Sequence, residues 1–123
     1  MNILIDTHIF LWAIAEPARI RADKRAQLET PANTIYVSSV TVAEMMIKAS
    51  LGKLQVDYDP IDTAQQSGFT LLDFRAQDAL LLKTMPFHHK DPFDRMLIAQ
   101  SIVNGYWLMT EDSKFPAYDC QLL

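Results

Sequence analysis

Short apolar runs alternate with amphipathic segments along the chain, and this spacing predicts alternating strands and helices. The runs at 2–5, 34–38, 69–74 and 106–110 are rich in β-branched, aromatic and leucine residues, which is typical of buried strands. A fifth strand is expected within 118–123. Because helical segments separate the strands, the expected fold class is α/β, with a central parallel sheet of four to five strands between two layers of helices.

Capping residues, glycine and proline delimit the predicted helices. These helices cover residues 8–15, 20–29, 38–52, 60–67, 75–85 and 92–104. The Asp-Pro pairs at 59–60 and 91–92 each place an N-cap acceptor before a proline at the first helical position. Gly105 is expected to end the last helix. Thr41 and Glu44 have the spacing of a capping box.

The composition is that of one globular domain, which we expect to span residues 1–123. Hydrophobic residues make up 50% of the chain and charged residues 21%, a composition too apolar for a disordered protein. The apolar runs are too short to cross a bilayer, and Asp6 interrupts the first run where a signal peptide would continue. Since Cys120 is the only cysteine, a disulfide framework and a thiolate metal site are excluded. We therefore expect a cytoplasmic protein without a membrane segment.

The net charge of −4 argues against a broad nucleic-acid-binding face. The segment 19–25 nevertheless carries four of the 11 basic residues. This segment can follow an RNA backbone or form a solvated helix face. An acidic protein can still act on nucleic acid if its acids gather at a metal site and its bases lie around it.

Five acids fall near the predicted carboxyl ends of the strands, where parallel sheets place their reactive crevice. Asp6 closes the first strand, and Glu44 lies early in the helix after the second. Asp91 and Asp94 open the helix before the fourth strand, and Asp112 follows that strand. Gathered carboxylates repel each other unless cations neutralise them, and oxygen-only ligands favour Mg²⁺ or Mn²⁺, the ions of phosphoryl chemistry. Each acid taken alone has a structural alternative as a helix or turn cap, Asp91 above all.

Four segments together resemble a PIN-domain ribonuclease of the VapC toxin type. They are, in chain order, NILIDTHIFLWA, SSVTVAEMMIKASLGKL, MPFHHKDPFDRMLIAQS and LMTEDSKF. The resemblance runs the length of the chain. It implies a compact α/β/α PIN fold, Mg²⁺- or Mn²⁺-dependent endoribonuclease activity and a small antitoxin partner.

The resemblance also implies which residues hold the metal. The roles carry over to Asp6, Glu44, Asp94 and Asp112. Asp91 matches an extra acid of one VapC subgroup, and we expect it to be an N-cap first and a supporting or occasional ligand second. Thr7 and Thr110 stand beside two of the acids, where a hydroxyl can orient a carboxylate or simply cap an element. Glu111 is expected to point away from the site.

Several bases lie close to these acids in the sequence. Lys48 follows Glu44 by four residues, so it can form an ion pair on one helix face or reach a substrate phosphate. His88 and His89 show no zinc-type spacing, and we expect one of them to contact RNA or Asp94 rather than to act in catalysis. Arg95 is expected to form a surface salt bridge.

The first helix carries four large apolar residues in a row, at 9–12. A single helix cannot bury that whole circumference against one sheet. We therefore expect a homodimer, with an antitoxin groove near this helix.

Three other functions compete with the endoribonuclease as explanations of the acids. A catalytically silent PIN-like module, acting only as a subunit of a protein complex, is the main alternative. A haloacid-dehalogenase phosphatase requires DxD after the first strand, whereas this chain has Asp6-Thr7-His8. A response-regulator receiver requires paired acids at the same place, which this chain lacks.

Overall fold

The computed structural model describes residues 1–123, which contain one five-stranded sheet. The strands are β1 Asn2–Ile5, β2 Thr34–Ser38, β3 Thr70–Leu72, β4 Trp107–Met109 and β5 Gln121–Leu122. Their order is β3-β2-β1-β4-β5, and every neighbouring pair is parallel. The central strand β1 aligns Ile5 with Val37 of β2 and with Met109 of β4. The predicted parallel sheet is confirmed, with five strands.

Helices cover both faces of this sheet. They are α1 Thr7–Ala15, α2 Ala22–Glu29, α3 Ser39–Ser50, α4 Pro60–Gln66, α5 Ala76–Leu80 and α6 Pro92–Asn104, with short 3-10 turns at Pro17–Arg19, Leu81–Lys83 and Phe115–Ala117. None of these helices is both long and apolar enough to cross a bilayer.

Two hydrophobic cores follow from the alternation of side chains along β1. Ile3 and Ile5 point to one face, where they join Phe10 of α1 in the first core. Leu4 points to the other face and joins Leu97 of α6 in the second. All five side chains are fully buried. The result is the expected three-layer α/β/α arrangement.

The helix predicted over 75–85 is shorter than expected. It divides into α5 and the 3-10 turn Leu81–Lys83. Pro86 has no N–H to donate to the carbonyl of Leu82, so an α-helix cannot continue there. Instead, the guanidinium of Arg95 donates to the carbonyls of Leu82, Met85 and Pro86, at 3.3, 3.4 and 2.8 Å.

The predicted capping box of Thr41 and Glu44 is wrong. Ser38 is the N-cap of α3, and its hydroxyl accepts a hydrogen bond from the backbone N–H of Val40 at 3.0 Å. The helix therefore starts one turn earlier than a capping box would place it. Thr41 and Glu44 lie inside the helix and are buried facing α1. The caps predicted from the two Asp-Pro pairs are present at α4 and α6, and Gly105 ends α6 with a left-handed φ of 68°.

Candidate metal centre

Asp6 stands at the junction of β1 and α1, where it has two roles. Its Oδ1 accepts a hydrogen bond from the backbone N–H of Ile9 at 2.8 Å and thereby caps α1. Its Oδ2 accepts one from the hydroxyl of Thr110, just past β4, at 2.6 Å. Burial raises the pKa of this carboxyl despite the two hydrogen bonds. Asp6 is therefore a helix cap and an electrostatically strained acid at once.

Glu44 reaches the same region from α3. The carboxylate is 2% exposed, and its Oε1 accepts a hydrogen bond from the hydroxyl of Thr7 at 2.7 Å. Its Oε2 is ion-paired with Lys48, one turn along the helix. The hydrogen bond to Glu44 raises the pKa of Lys48. The i,i+4 pair expected from the sequence is therefore present, and Thr7 fixes the orientation of the acid.

Asp94 lies in the first turn of α6 and has the most perturbed environment among the acids. Its pKa is raised from 3.8 to about 8, chiefly because burial penalises the charged form. Further negative charges add to this effect, namely those of Asp91, Asp6, Glu44 and Asp112. The other three predicted metal-site acids are therefore near enough to Asp94 for their charges to raise its pKa.

Asp112 approaches from the loop after β4. Its Oδ1 accepts a hydrogen bond from the backbone N–H of Lys114 at 2.8 Å. Its own backbone N–H donates to the hydroxyl of Thr110 at 2.9 Å, and that hydroxyl in turn donates to Asp6. The hydroxyl of Thr110 thus links the carboxylate of Asp6 to the backbone of Asp112, so of its two possible roles the orienting one is present toward Asp6.

Asp91 is the N-cap of α6. Its Oδ1 accepts hydrogen bonds from the backbone N–H groups of Phe93 at 2.8 Å and Asp94 at 3.3 Å. Its charge also contributes to the raised pKa of Asp94. Asp91 therefore caps α6, and its negative charge also raises the pKa of Asp94.

The two histidines of the HHKD segment lie in different surroundings. His89 is 5% exposed, and its Nε2 is 2.9 Å from Oδ2 of Asp94 and 3.1 Å from Oδ2 of Asp112. His88 is exposed and packs its ring on Tyr118, with 5.2 Å between ring centroids. Of the two contacts expected for one of this pair, the contact with Asp94 is the one that the structure contains.

The expected surface salt bridge of Arg95 is wrong. This side chain is 7% exposed and has no acidic partner. Its charge is satisfied by backbone carbonyls, by the hydroxyl of Tyr118 at 3.3 Å and by the ring of Phe87, 4.2 Å away. Arg95 therefore faces the segment 81–87 rather than solvent. The sequence around Arg95 does not indicate this orientation.

Lys24 was not predicted to take part in the site, yet it supports the loop that carries Asp112. Its Nζ donates to the backbone carbonyl of Thr110 at 2.6 Å and lies 3.2 Å from a carboxylate oxygen of Glu111. Contrary to expectation, Glu111 borders the same cavity of about 230 Å³ as Asp6 and Asp112, although Lys24 holds its carboxylate. Eighty-six positions separate Lys24 from Thr110, so no local pattern reveals this contact.

The fold and the site together define a class of protein. This is an α/β/α protein with buried and half-buried acids beyond the carboxyl ends of a parallel sheet, a donor set suited to a divalent cation. The family model described as the PIN domain matches residues 3–119. The chain belongs to the PIN domain family, as the sequence resemblance predicted.

Solved structures share this fold across nearly the whole chain. A chain of VapBC2 from Rickettsia felis, bound to a promoter DNA fragment, is 18% identical with a TM-score of 0.75, over 100% of this chain and 98% of that one. DNA-bound VapBC from Salmonella typhimurium gives 15% identity and a TM-score of 0.70, over 100% and 97%. VapBC-5 from Mycobacterium tuberculosis gives 16% and 0.60, over 99% and 95%. No curated protein sequence matches the chain.

Proposed function

We propose that this chain, as one PIN domain over residues 1–123, is the toxin of a toxin–antitoxin pair and a metal-dependent endoribonuclease of the VapC type. The observation that carries the proposal is the convergence of four carboxylates around Asp94, whose pKa is raised to about 8. Membership of the PIN domain family supports it. The similar solved structures support the toxin assignment, since several are of VapBC complexes.

Mg²⁺ or Mn²⁺ is the cofactor that the donor set fits best. The proposed ligands are the carboxylates of Asp6, Glu44, Asp94 and Asp112. Carboxylate oxygens are the donors these ions prefer, and a cation would offset the burial and the repulsion that raise the pKa of Asp94. When bound, such an ion supplies an activated water for attack on phosphorus and stabilises the charge on the leaving oxygen.

The remaining residues of the centre hold these carboxylates in place. Thr7 fixes one oxygen of Glu44, and Lys48 neutralises the other. Thr110 fixes Asp6, while the backbone N–H of Ile9 fixes its second oxygen. Because these donors are in place before any ion binds, little reorganisation is needed when the acids take up a cation.

RNA is the proposed substrate, and basic residues lie on both sides of the acids. A cavity of about 490 Å³ beside the site is lined by His88, His89, Lys90, Asp91 and Lys114. The exposed ammonium groups of Lys90 and Lys114 can bind the phosphate backbone next to the scissile bond. We propose His88 as a further RNA contact there, with His89 behind it, and Lys48 as a contact on the α3 side.

The proposed partners are a cognate antitoxin and a second copy of the chain. On α1, Ile9 and Phe10 are fully buried, whereas Leu11 and Trp12 are only half-buried. The half-buried side chains leave apolar surface for an antitoxin groove near this helix. Size-exclusion chromatography with light scattering, with and without the co-expressed antitoxin, tests both partners. A monomer whose antitoxin complex leaves α1 exposed would contradict the proposal.

The decisive experiment is RNA cleavage by the purified protein with Mg²⁺ or Mn²⁺. Asp6→Asn and Asp94→Asn should abolish cleavage, as should a chelator, and Asp62→Asn is the matched control because Asp62 is an exposed acid on α4. Activity that survives both substitutions or the chelator would refute the mechanism. Mapping of the cuts on total RNA after brief expression would identify the target.

The alternative is a silent PIN-like binding module. The intact acids argue against it, because a buried cluster that raises the pKa of Asp94 serves no evident purpose without a cation. Titration with Mn²⁺ separates the two, since a silent module has no reason to bind the ion.

A further inference from the structure

His89 lies between two of the proposed metal ligands. Its Nε2 approaches Oδ2 of Asp94 at 2.9 Å and Oδ2 of Asp112 at 3.1 Å. The two acids stand on separate elements, one on α6 and the other on the loop after β4. Nε2 of His89 therefore lies close to side chains from both elements.

The hydrogen bonds of the ring assign its tautomer. The backbone N–H of Asp91 donates to Nδ1 of His89 at 3.2 Å, so Nδ1 carries a lone pair. The ring proton then lies on Nε2, which makes Nε2 a donor to Oδ2 of Asp112, with Oδ2 of Asp94 lying 2.9 Å from the same nitrogen. In distance alone, the ring and the two carboxylates could all be ligands of one ion, because their ligand atoms lie within 4.8 Å of one another. A protonated Nε2 has no lone pair to offer, so the hydrogen-bond pattern argues against that arrangement.

The position of His89 is fixed from several directions. Its backbone N–H donates to the hydroxyl of Tyr118 at 2.7 Å, and the same hydroxyl accepts a hydrogen bond from the buried guanidinium of Arg95 at 3.3 Å. The ring packs edge-on against Phe115, with 5.8 Å between centroids. The imidazole is therefore held in place by contacts that do not involve the two carboxylates.

We infer that His89 is a positioning residue that sets the metal affinity of the site by donating its Nε2–H to Asp112 and lying against Asp94, and that it is not itself a ligand. The inference rests on the proposed metal-dependent function. The oxygen of Asp112 keeps a further lone pair while it accepts the hydrogen bond, so both acids remain available to an ion. Loss of such a supporting donor typically weakens metal binding by about 10- to 100-fold.

Mn²⁺ affinity, measured by calorimetry or by the EPR signal of the free ion, tests this role without any RNA. We expect His89→Ala to bind Mn²⁺ about 10- to 100-fold more weakly than the unaltered protein. His89→Gln should recover most of the loss, because its terminal amide N–H can reach the same carboxylates. Lys83→Ala, a truncation at an exposed residue of the 3-10 turn Leu81–Lys83, should leave the Mn²⁺ affinity unchanged. An alanine variant with unaltered affinity, or a glutamine variant no better than alanine, would overturn the inference.

The unaltered protein supplies a second test that does not depend on how the variants fold. Pulsed EPR of bound Mn²⁺ should show no directly coordinated nitrogen. A strongly coupled ¹⁴N signal would assign His89 as a ligand and overturn the inference, while the metal-dependent function would stand. Failure of the unaltered protein to bind Mn²⁺ at all would instead refute the proposed function. The two failures are therefore distinguishable.

Discussion

Asp94 should destabilise the protein when no metal is bound, so that Asp94→Asn stabilises the metal-free chain while it removes a proposed ligand. Asparagine has nearly the shape of the carboxyl and can keep an oxygen at the place that faces Nε2 of His89. It carries no charge, so it escapes the burial and the repulsion that raise the pKa of Asp94. A loss of function and a gain of stability are expected from the same substitution.

The magnitude follows from the pKa shift of the carboxyl. A rise from 3.8 to about 8 would correspond, at about 1.4 kcal/mol per pKa unit, to an upper limit near 6 kcal/mol. The side chain is 13% exposed at the edge of a cleft, so solvent screening reduces this limit, and on the order of 2 kcal/mol is a reasonable value at pH 8. For a domain of 123 residues, that corresponds to a rise in Tm of roughly 6–10 °C.

The pH dependence has a definite sign. The folded state keeps the proton of Asp94 up to about pH 8, whereas the unfolded chain releases it near its ordinary value of 3.8. The contribution of Asp94 to the free energy of unfolding should therefore be most favourable below pH 4, and it should become less favourable as the pH rises toward 8. The raised pKa of Asp6 acts in the same direction.

Urea or thermal unfolding with a chelator at pH 5, 6, 7 and 8 is the assay. The difference in stability between Asp94→Asn and the unaltered protein should grow with pH, and Mg²⁺ should stabilise only the unaltered protein. Asp62→Asn, at an exposed acid of α4, should show neither effect. If Asp94→Asn were no more stable than the unaltered protein at pH 8, or if the difference shrank as pH rose, the electrostatic argument would be wrong.

Three further substitutions test the supports of the centre. Thr110→Val removes the hydroxyl that joins Asp6 to the Asp112 loop, so Mn²⁺ affinity measured by calorimetry should fall about tenfold; an unchanged affinity would show that this link is dispensable. Lys24→Met keeps the length of the side chain but loses the contacts with the carbonyl of Thr110 and with Glu111, and urea unfolding should show a loss of about 1–3 kcal/mol, with no loss if the contacts are incidental. Arg95→Lys cannot replace a planar guanidinium that serves three carbonyls, so Tm should fall by roughly 5 °C or more; an unaltered Tm would mean that the ammonium suffices.

Local chemistry explains why most of the fold could be predicted from the sequence. The Asp-Pro pair at 91–92 combines an N-cap acceptor with a fixed φ, and α6 starts there. The run at 2–5 is apolar on both faces, and β1 is indeed the buried central strand. The four acids expected beyond the strand ends contribute to one electrostatic cluster around Asp94, because parallel topology brings those ends together.

The errors lie where long-range contacts override local preference. Thr41 and Glu44 have the spacing of a capping box, but their partner is Thr7, on another helix. Arg95 follows an acid on a helix, which suggests a surface charge, yet the carbonyls freed before Pro86 provide a buried site for its guanidinium. Such contacts depend on which segments meet in three dimensions, and the pattern along the chain does not contain that information.

The order of strands in the sheet also has a consequence for synthesis. One edge of β1 pairs with β2, which is near in the sequence, whereas its other edge pairs with the distant residues Trp107–Met109. The hydrogen bond between Asp6 and the hydroxyl of Thr110 joins residues 104 positions apart. A nascent chain that has emerged only as far as α6 carries Asp6, Glu44 and Asp94 without the strand that aligns them. Contacts so distant in sequence form late in folding. An intermediate that lacks β4 and the residues directly after it therefore cannot hold the assembled acidic centre.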